Sequence, residues 1–217
     1  MSKIDDLIQE LCPDGVEFAR LDEIFDIRGG YTPSKKNPEY WENGNVPWFR
    51  MEDIRENGRY LTQSLQYVNE CAIKKSGLMP KGSVIVATSA TIGEHALLGI
   101  DALCNQRFTC LTKKAKYQNR LLDRFVFQYC FVLDNFCQQN LTQGSFASVS
   151  MPAFYSFQFP IPPIEVQEEI VRVLDSFAEL EAELEAELEA RRRQYAYYRD
   201  QLLTFDKPEI ERERASK

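Results

Sequence analysis

The sequence contains a single histidine, His95, and this scarcity excludes several kinds of catalytic site. A zinc site usually needs further imidazoles or a closely spaced cysteine pair, and no Cys-x-x-Cys occurs among the six cysteines. The Gly-rich loops that bind nucleotide phosphates are absent, and hydrolase triads and His-Glu-x-x-His metalloprotease sites lack their parts. We therefore predict a noncatalytic chain that holds no metal and no cofactor.

Long apolar runs are missing as well. No stretch of 18 apolar residues is present to span a bilayer, and the first residues do not join a basic segment to an apolar one as secretion signals do. We predict a cytoplasmic protein without a membrane partner, whose cysteines are reduced and mostly buried. Its 217 residues, 44% of them hydrophobic, suffice for one packed domain of about 150 residues plus an extension.

Charge is divided unevenly along the chain. The net charge of −7 argues at first against a nucleic-acid partner, because phosphate binding draws on Lys and Arg. Residues 165–190, however, hold ten Asp and Glu against the single Arg172, a local charge of −9. Residues 27–124 hold fifteen Lys and Arg against nine Asp and Glu, a local charge of +6. The sequence therefore predicts a basic globular part joined to an acidic rod.

The apolar pattern predicts an α+β domain. Helical spacing of apolar residues favours helices at 4–11 and 119–137. Short apolar or β-branched segments bounded by Gly, Pro, Asn or Lys predict strands at 46–51, 83–88, 96–100 and 108–112. We expect a globular domain over residues 1–163, with a short N-terminal helix and a mixed, mostly antiparallel sheet.

Proline and glycine are absent between Pro163 and Pro208, which permits about forty residues of unbroken helix. We predict one long coiled-coil helix over residues 164–205, followed by a flexible tail over 206–217. Glu-Leu-Glu-Ala occurs three times in succession from Glu179 to Ala190, and each unit adds about 6 Å of helix. An apolar seam is spaced as in coiled coils, with one irregular step at Leu188. The residues that we predict at a dimer interface are Ile170, Val173, Phe177, Leu180, Leu184, Leu188, Arg191, Tyr195, Tyr198 and Leu202.

The six glutamates of this repeat have no lysine between them and repel one another by a few tenths of a kcal/mol per i,i+4 pair. Arg191, Arg192 and Arg193 follow directly. If two copies pair antiparallel about the centre of the repeat, Arg191 lies within reach of the partner's Glu179 and the partner's Glu181. The alternative is a solvated basic patch that suits the C-terminal half of a helix. The alanines of the repeat lie about 200° around the helix from its leucines, either as a second contact face or simply because alanine favours helix.

Polar and cationic side chains cluster in short segments of the basic part. Residues 28–36 combine two glycines, which permit close backbone approach, with hydroxyls and cations that donate to phosphate. Asn105-Gln106-Arg107 carries side chains able to contact base edges, and residues 88–93 form a small polar turn. Such segments are also common as plain loops, and the last two could instead cap backbone groups of the domain. Our candidate DNA contacts are Arg28, Tyr31, Thr32, Ser34, Lys35, Lys36, Arg50, Ser89, Thr91, Gln106 and Arg107.

Several motifs, taken in order, resemble one family. They are Arg28-Gly29-Gly30-Tyr31-Thr32-Pro33-Ser34, Asn37-Pro38-Glu39-Tyr40-Trp41, Val46-Pro47-Trp48, Pro80-Lys81-Gly82-Ser83-Val84-Ile85-Val86, Thr91-Ile92-Gly93, Asn105-Gln106-Arg107-Phe108, and Ile161-Pro162-Pro163 with Gln167-Glu168-Glu169-Ile170. As an ordered set over about residues 15–205, they resemble the target recognition domain and conserved helix of type I restriction-modification specificity (S) subunits. Gln143-Gly144-Ser145-Phe146 departs from the Gly-Ser-Thr usual in that family.

The resemblance implies a function. S subunits of this family usually carry two recognition domains and two long antiparallel helices, read a two-part DNA target, and bind two methyltransferase subunits that methylate adenine. In that family, four-residue repeats in the spacer helix are associated with the gap between half-sites. This chain resembles half an S subunit, which implies a homodimer on double-stranded DNA with a bipartite target. DNA adenine methyltransferase subunits, which would hold S-adenosylmethionine, are the implied partners, and restriction subunits are further candidates.

Two alternatives stay open at this point. One is the specificity subunit of a fused restriction-methylation enzyme, similar to types IIB and IIG, whose enzyme chain both cuts and modifies DNA. The other is a coiled-coil adaptor whose globular head binds protein and not DNA. Salt-insensitive, sequence-blind behaviour in a DNA shift assay would favour the adaptor.

Overall fold

The structure, a computed structural model, describes residues 3–142 and 147–205. It divides between Val171 and Arg172 into two compact units. The tail that we predicted over residues 206–217 and the divergent segment 143–146 lie outside the described residues.

The described residues contain sixteen helices and strands, and single helical turns at Pro38–Tyr40, Glu70–Ala72 and Ala115–Tyr117. In chain order they are α1 (Lys3–Leu11), β1 (Phe18–Arg20), α2 (Leu21–Ile24), β2 (Phe25–Gly29), β3 (Val46–Phe49), α3 (Met51–Asn57), β4 (Tyr60–Leu61), β5 (Tyr67–Val68), β6 (Val84–Ala87), β7 (His95–Leu98), β8 (Leu103–Cys104), β9 (Phe108–Lys113), α4 (Asp123–Gln139), α5 (Met151–Ser156), β10 (Gln158–Pro160) and α6 (Ile164–Leu202).

The largest sheet has five strands in the order β2-β9-β6-β7-β4. Its pairs are antiparallel except β4 with β7, which is parallel. A second sheet has the order β5-β3-β8, antiparallel between β3 and β5 and parallel between β3 and β8, and β1 pairs antiparallel with β10. The predicted α+β class, with a mixed and mostly antiparallel sheet, is confirmed.

Both faces of the five-stranded sheet are covered. Side chains alternate across a strand, so that Val84 and Val86 of β6 pack in a cluster with Phe125 and other apolar residues of α4. Ile85 and Ala87 point to the opposite face and pack with Phe49, Met51 and Ile54. Because both faces are buried, β6 is a continuous apolar run and β7 is apolar after His95, without the polar alternation of a half-exposed strand.

Helix α6 begins directly after Pro162-Pro163, as predicted. Its first two turns pack within the globular unit through Gln167, whose side chain is fully buried. The Gln167 Oε1 atom accepts a hydrogen bond from the Leu122 amide at 2.9 Å, and Nε2 donates to the carbonyls of Pro162 and Arg120 at 2.7 Å each. One side chain therefore joins the helix start to the segment before α4.

The remainder of α6, from residue 172 to Leu202, is one continuous helix. The leucines of the repeat are about half exposed, with Leu184 at 57%. Arg191 lies 3.4 Å from Glu187 and Arg193 lies 3.8 Å from Glu189, both as exposed i,i+4 pairs. A long helix is confirmed, but it ends at Leu202 and not at the predicted residue 205, and its coiled-coil partner stays a prediction.

All six cysteines are free, and four are buried. Burial raises the pKa of the Cys104 and Cys130 thiols well above their usual range and that of Cys137 to about 12. Thiols of this kind stay protonated and unreactive at neutral pH. Across the described ranges, no helix combines the length and apolar character needed to cross a membrane.

Candidate DNA-recognition site

The segments that carry the predicted DNA contacts meet at one edge of the two larger sheets. Antiparallel pairing sets Gly29, the end of β2, opposite Thr109, and sets Ala87, the end of β6, opposite Phe108. The parallel strands β3 and β8 end together at the Phe49 and Cys104 pair. We call this surface the polar edge and define it as residues 30–36, Arg50, residues 88–93 and residues 105–107.

Backbone hydrogen bonds connect the segments of the polar edge. The Asn105 amide donates to the Phe49 carbonyl at 3.0 Å, beside Arg50, and the Thr88 amide donates to the Arg107 carbonyl at 3.0 Å. The Arg107 amide donates to the Asn105 side chain at 3.0 Å, so that Asn105 caps the turn. The side chains of Gln106 and Arg107 are exposed. The capping alternative therefore applies to Asn105, and the other two residues of this motif face outward.

Gly30 brings the first loop directly onto the turn at 105–107. Its amide donates to the Phe108 carbonyl at 2.8 Å, and the Tyr31 amide donates to the Cys104 carbonyl at 2.8 Å. A Cβ atom at position 30 would lie 2.5 Å from the Cys104 carbonyl oxygen and closer still to that of Asn105. Only glycine fits this approach. The Thr32 hydroxyl then donates to Oε1 of Gln106.

Tyr31 is half buried and has protein contacts on several sides. Its hydroxyl donates to the Ala72 carbonyl at 2.9 Å and accepts from the Lys74 amide at 3.1 Å. The indole N–H of Trp48 donates to the Tyr31 carbonyl at 2.9 Å. A direct contact between Tyr31 and DNA stays a prediction, and the structure shows that this residue joins the loop to two neighbouring segments.

Ser34, Lys35 and Lys36 are exposed at the tip of the first loop. The Ser34 hydroxyl accepts from the Lys36 amide at 3.3 Å, and the Ser34 carbonyl accepts from the Trp41 indole at 3.2 Å. Neither lysine ammonium group has a carboxylate within 4 Å among the described residues. Two free cations thus lie on a loop with a fixed base.

Arg50 lies at the end of β3 with its guanidinium carbon 5.5 Å from the centre of the Trp48 ring. Its amide donates to Oδ2 of Asp53 at 2.7 Å, and the other oxygen of this buried carboxylate accepts from the Leu65 amide at 2.6 Å. The Nε atom of Arg50 has no hydrogen-bond partner in the described part of the chain and lies 3.9 Å from Glu52. Asp53 therefore fixes the backbone at Arg50, whose Nε atom is buried, and contact of this side chain with DNA stays a prediction.

Sequence reasoning missed Asp53, although a signal was present. In a capping box, the side chain of the residue three positions after the N-cap accepts a hydrogen bond from the N-cap amide. Asp53 stands three positions after Arg50 and so has this spacing. That spacing identifies a helix start at Arg50, but it does not show that the same carboxylate also holds Leu65 and Ser64 from a later loop.

Ser89 and Thr91 lie in the turn between β6 and β7. Ser89 pairs with Ser148 in an isolated antiparallel bridge, and the Val149 amide donates to the Thr88 carbonyl at 2.9 Å. The Thr91 hydroxyl is buried without a hydrogen-bond partner in the described ranges. Residues 148 and 149 therefore bond to the backbone of this turn. Contact of the Ser89 and Thr91 side chains with DNA stays a prediction.

Comparison with known proteins identifies the family. Residues 13–190 match the family described as the type I restriction modification DNA specificity domain. This match covers most of the chain, and the chain belongs to that family.

Curated relatives include two specificity subunits from Escherichia coli. The type I restriction enzyme EcoprrI specificity subunit is 51% identical over 210 residues, which cover 92% of this chain and 52% of the relative. The EcoR124I/EcoR124II specificity subunit is 34% identical over 207 residues, which cover 89% of this chain and 50% of the relative. The chain spans about half the length of the curated relatives it matches.

Solved structures share the fold. The HsdS subunit from Thermoanaerobacter tengcongensis aligns with a TM-score of 0.61 and 18% identity over 84% of this chain and 44% of its own. A chain from a structure on complex assembly and conformational transition of the type I R-M system aligns with a TM-score of 0.63 and 20% identity. The alignment covers 88% of this chain and 48% of the other. At these identities the likeness shows the fold alone.

The description of this family concerns DNA specificity. Specificity subunits are the noncatalytic DNA-recognition subunits of type I restriction enzymes, so that the predicted noncatalytic character is confirmed by the family. An adaptor that binds protein and not DNA is not supported by this membership.

Proposed function

We propose that the chain reads one half of a bipartite double-stranded DNA target through the polar edge. The observation that supports this most is the convergence of four separately predicted segments at one edge of the sheets. Lys35 and Lys36 are exposed without carboxylate partners among the described residues, and they suit phosphate groups. Gln106 and Arg107 are exposed on a backbone-anchored turn and suit base edges, because their planar groups can form two parallel hydrogen bonds.

Two chains would supply the two halves of the target. A two-fold homodimer through the predicted seam of α6 brings two identical recognition domains together, and identical domains require an inverted-repeat target. The seam carries Phe177, Leu180, Leu184 and Leu188 exposed on the single chain. Burial of these side chains against a second copy would remove apolar surface from water.

We further propose that the acidic helix is the site at which DNA adenine methyltransferase subunits assemble, with S-adenosylmethionine bound to them. In the described structure Glu179, Glu181, Glu183 and Glu185 have no cationic side chain within 4 Å. A basic surface on a partner would relieve the repulsion between these carboxylates. Restriction subunits are further candidate partners, and the neighbouring genes would distinguish this system from one with a fused restriction-methylation enzyme.

Replacement of both Gln106 and Arg107 by alanine is expected to weaken binding to the preferred target by about 30-fold to 10⁴-fold, because each of the two bidentate base contacts contributes about 1–3 kcal/mol of discrimination. Affinity for mixed-sequence DNA should change much less. Competitive fluorescence anisotropy on the chain assembled with its methyltransferase subunits, together with methylation mapping, measures both effects.

The matched control for this experiment is Gln118→Ala. Gln118 is an exposed glutamine beyond the end of β9, at the opposite edge of the sheet from residues 105–107. It should leave target preference unchanged. If the double variant keeps the wild-type target and affinity, the assignment of base contacts to the polar edge is wrong.

Removal of one Glu-Leu-Glu-Ala unit, residues 183–186, is expected to shorten the preferred gap between half-sites. The deletion removes about 6 Å of helix, which corresponds to one or two base pairs at about 3.4 Å each. Methylation mapping measures the gap, and Glu185→Lys serves as a control that alters charge without altering length. An unchanged gap after the deletion would refute a spacer role for the repeat.

A further inference from the structure

A second basic loop, which sequence reasoning did not single out, is attached to the polar edge. We call residues 72–77 the lysine loop. It follows the helical turn Glu70–Ala72 and carries Lys74 and Lys75, both exposed. No acidic residue occurs within residues 71–78 or within residues 28–36. Two segments without negative charge thus carry five of the chain's cations, Arg28, Lys35, Lys36, Lys74 and Lys75.

Three hydrogen bonds connect the lysine loop to the segment around residues 28–31. The Tyr31 hydroxyl donates to the Ala72 carbonyl at 2.9 Å and accepts from the Lys74 amide at 3.1 Å. The Arg28 guanidinium donates to the Ser76 carbonyl. Since one hydrogen bond engages only one of the five N–H donors of an arginine, Arg28 keeps donors for another acceptor. These bonds fix the backbone of the lysine loop next to the polar edge.

Lys74 is held by an aromatic ring and not by a carboxylate. Its ammonium nitrogen lies 4.1 Å from the centre of the Tyr31 ring, a cation–π contact. Neither Lys74 nor Lys75 has a carboxylate within 4 Å in the described part of the chain. Like charges in adjoining loops repel one another. A bound polyanion would offset this repulsion, because it attracts the cations of both loops. The arrangement therefore suits an anionic partner that spans both loops.

We propose that the lysine loop is a further part of the DNA interface, in which Lys74 and Lys75 contact phosphate groups of the duplex beside the bases that the polar edge reads. The inference rests on the proposed function and adds residues to it. Lysine is a compact point charge on a flexible stem, which suits phosphate contact without reading sequence. The lysine loop thus contributes affinity and orientation, and it leaves the choice of bases to other residues.

The test is the variant Lys74→Ala/Lys75→Ala in the full chain, assembled with its methyltransferase subunits. Its binding is measured on two fluorescein-labelled duplexes, one with the target found by methylation mapping and one of mixed sequence, over a series of salt concentrations. The slope of log K against log salt should become shallower by about two, since each phosphate contact contributes about 0.9. Affinity should fall by the same factor on both duplexes, on the order of tenfold near 0.1 M salt, and the methylated sequence should stay unchanged.

The matched control is Lys81→Ala/Lys116→Ala. Both lysines are exposed, and they lie before β6 and after β9, at the edge of the five-stranded sheet opposite the polar edge. The Lys116 ammonium also lies over an aromatic ring, 5.2 Å from the centre of Tyr117, so that the control removes a similar contact. This variant should keep the wild-type slope.

Three outcomes would contradict the inference, the assignment to phosphate or the proposed function, and each can be told from the others. If the wild-type assembly prefers its target but the lysine-loop variant keeps the wild-type slope, the inference is wrong and the proposed function stands. If affinity falls on the mapped target alone, the lysines read bases and the phosphate assignment is overturned. If the wild-type assembly shows no sequence preference, the proposed function itself fails.

Discussion

Gly30→Ala is expected to lower the free energy of unfolding by about 2–4 kcal/mol and to abolish target binding. The added methyl group would lie 2.5 Å from the Cys104 carbonyl oxygen, and closer to that of Asn105. Both are backbone atoms, so that the loop and the turn must move apart and stretch the bonds from Gly30 to Phe108 and from Tyr31 to Cys104. Urea unfolding and anisotropy on the mapped target measure the two effects.

Gly29→Ala is the control, because it adds the same methyl group one residue earlier. A Cβ atom at Gly29 would meet no heavy atom of the described residues within 4 Å, and Gly29 ends β2. Its replacement should change stability by less than about 1 kcal/mol. Target binding should be retained. Equal losses in the two variants would show that flexibility, and not the close approach at Gly30, is what the loop requires.

The strands found from sequence have at least four residues each, and most of these residues are buried. Strands β3, β6, β7 and β9 overlap the four predicted segments, because apolar residues on both faces of a covered sheet give short uninterrupted runs. The missed strands β1, β4, β5, β8 and β10 have two or three residues each, too few for any periodicity. They exist because partner strands supply hydrogen bonds, as β7 does for β4. No local signal encodes such pairing.

Strand β2 was also missed from sequence, although its pattern of residues carries a signal. Its sequence Phe-Asp-Ile-Arg-Gly alternates apolar and polar residues as an edge strand does, and it pairs with β9 along its whole length. This strand delivers Gly30 and the following loop to the polar edge, so that the missed element is the one that positions the first motif.

The candidate residues could be proposed from sequence because each lies in a short contiguous segment of recognisable composition. The way in which the segments meet could not be proposed, because it depends on pairing between distant strands, such as Trp48 of β3 with Leu103 of β8. The same limit applies to Lys74. Nothing in the sequence distinguishes Lys74 from any other surface lysine, and only the contact with Tyr31 relates it to the site.

Leu184→Glu in the full chain is expected to abolish the proposed homodimer at micromolar concentration. Leu184 lies at the centre of the repeat and is 57% exposed on the single chain. Burial of a leucine contributes about 1.5–3 kcal/mol, and two-fold symmetry places the substitution twice in the interface. The loss of about 3–6 kcal/mol raises the dissociation constant by about 10²- to 10⁴-fold, before any cost of burying the new carboxylates. Sedimentation equilibrium measures this constant.

A second variant tests the orientation of the helices in the same dimer. In the single chain Arg191 and Arg193 pair with Glu187 and Glu189, but these exposed i,i+4 pairs contribute only about 0.3–0.5 kcal/mol and leave the arginines available to a partner. In an antiparallel pair the arginines approach the partner's Glu179 and the partner's Glu181. Replacement of Arg191, Arg192 and Arg193 by glutamate should therefore weaken association, and the weakening should decrease at high salt.

Ala186→Glu is the matched control for the leucine variant. Position 186 lies two residues after Leu184, about 200° around the helix axis, so that the same negative charge is added to the alanine face. A dimer that packs through the leucine seam should tolerate it, and circular dichroism should show equal helix content in both variants. Equal weakening by Leu184→Glu and Ala186→Glu would assign the effect to charge repulsion along the acidic helix, and the leucine seam would then not be the interface. If only Ala186→Glu dissociates the dimer, the two copies pack through the small residues of the repeat.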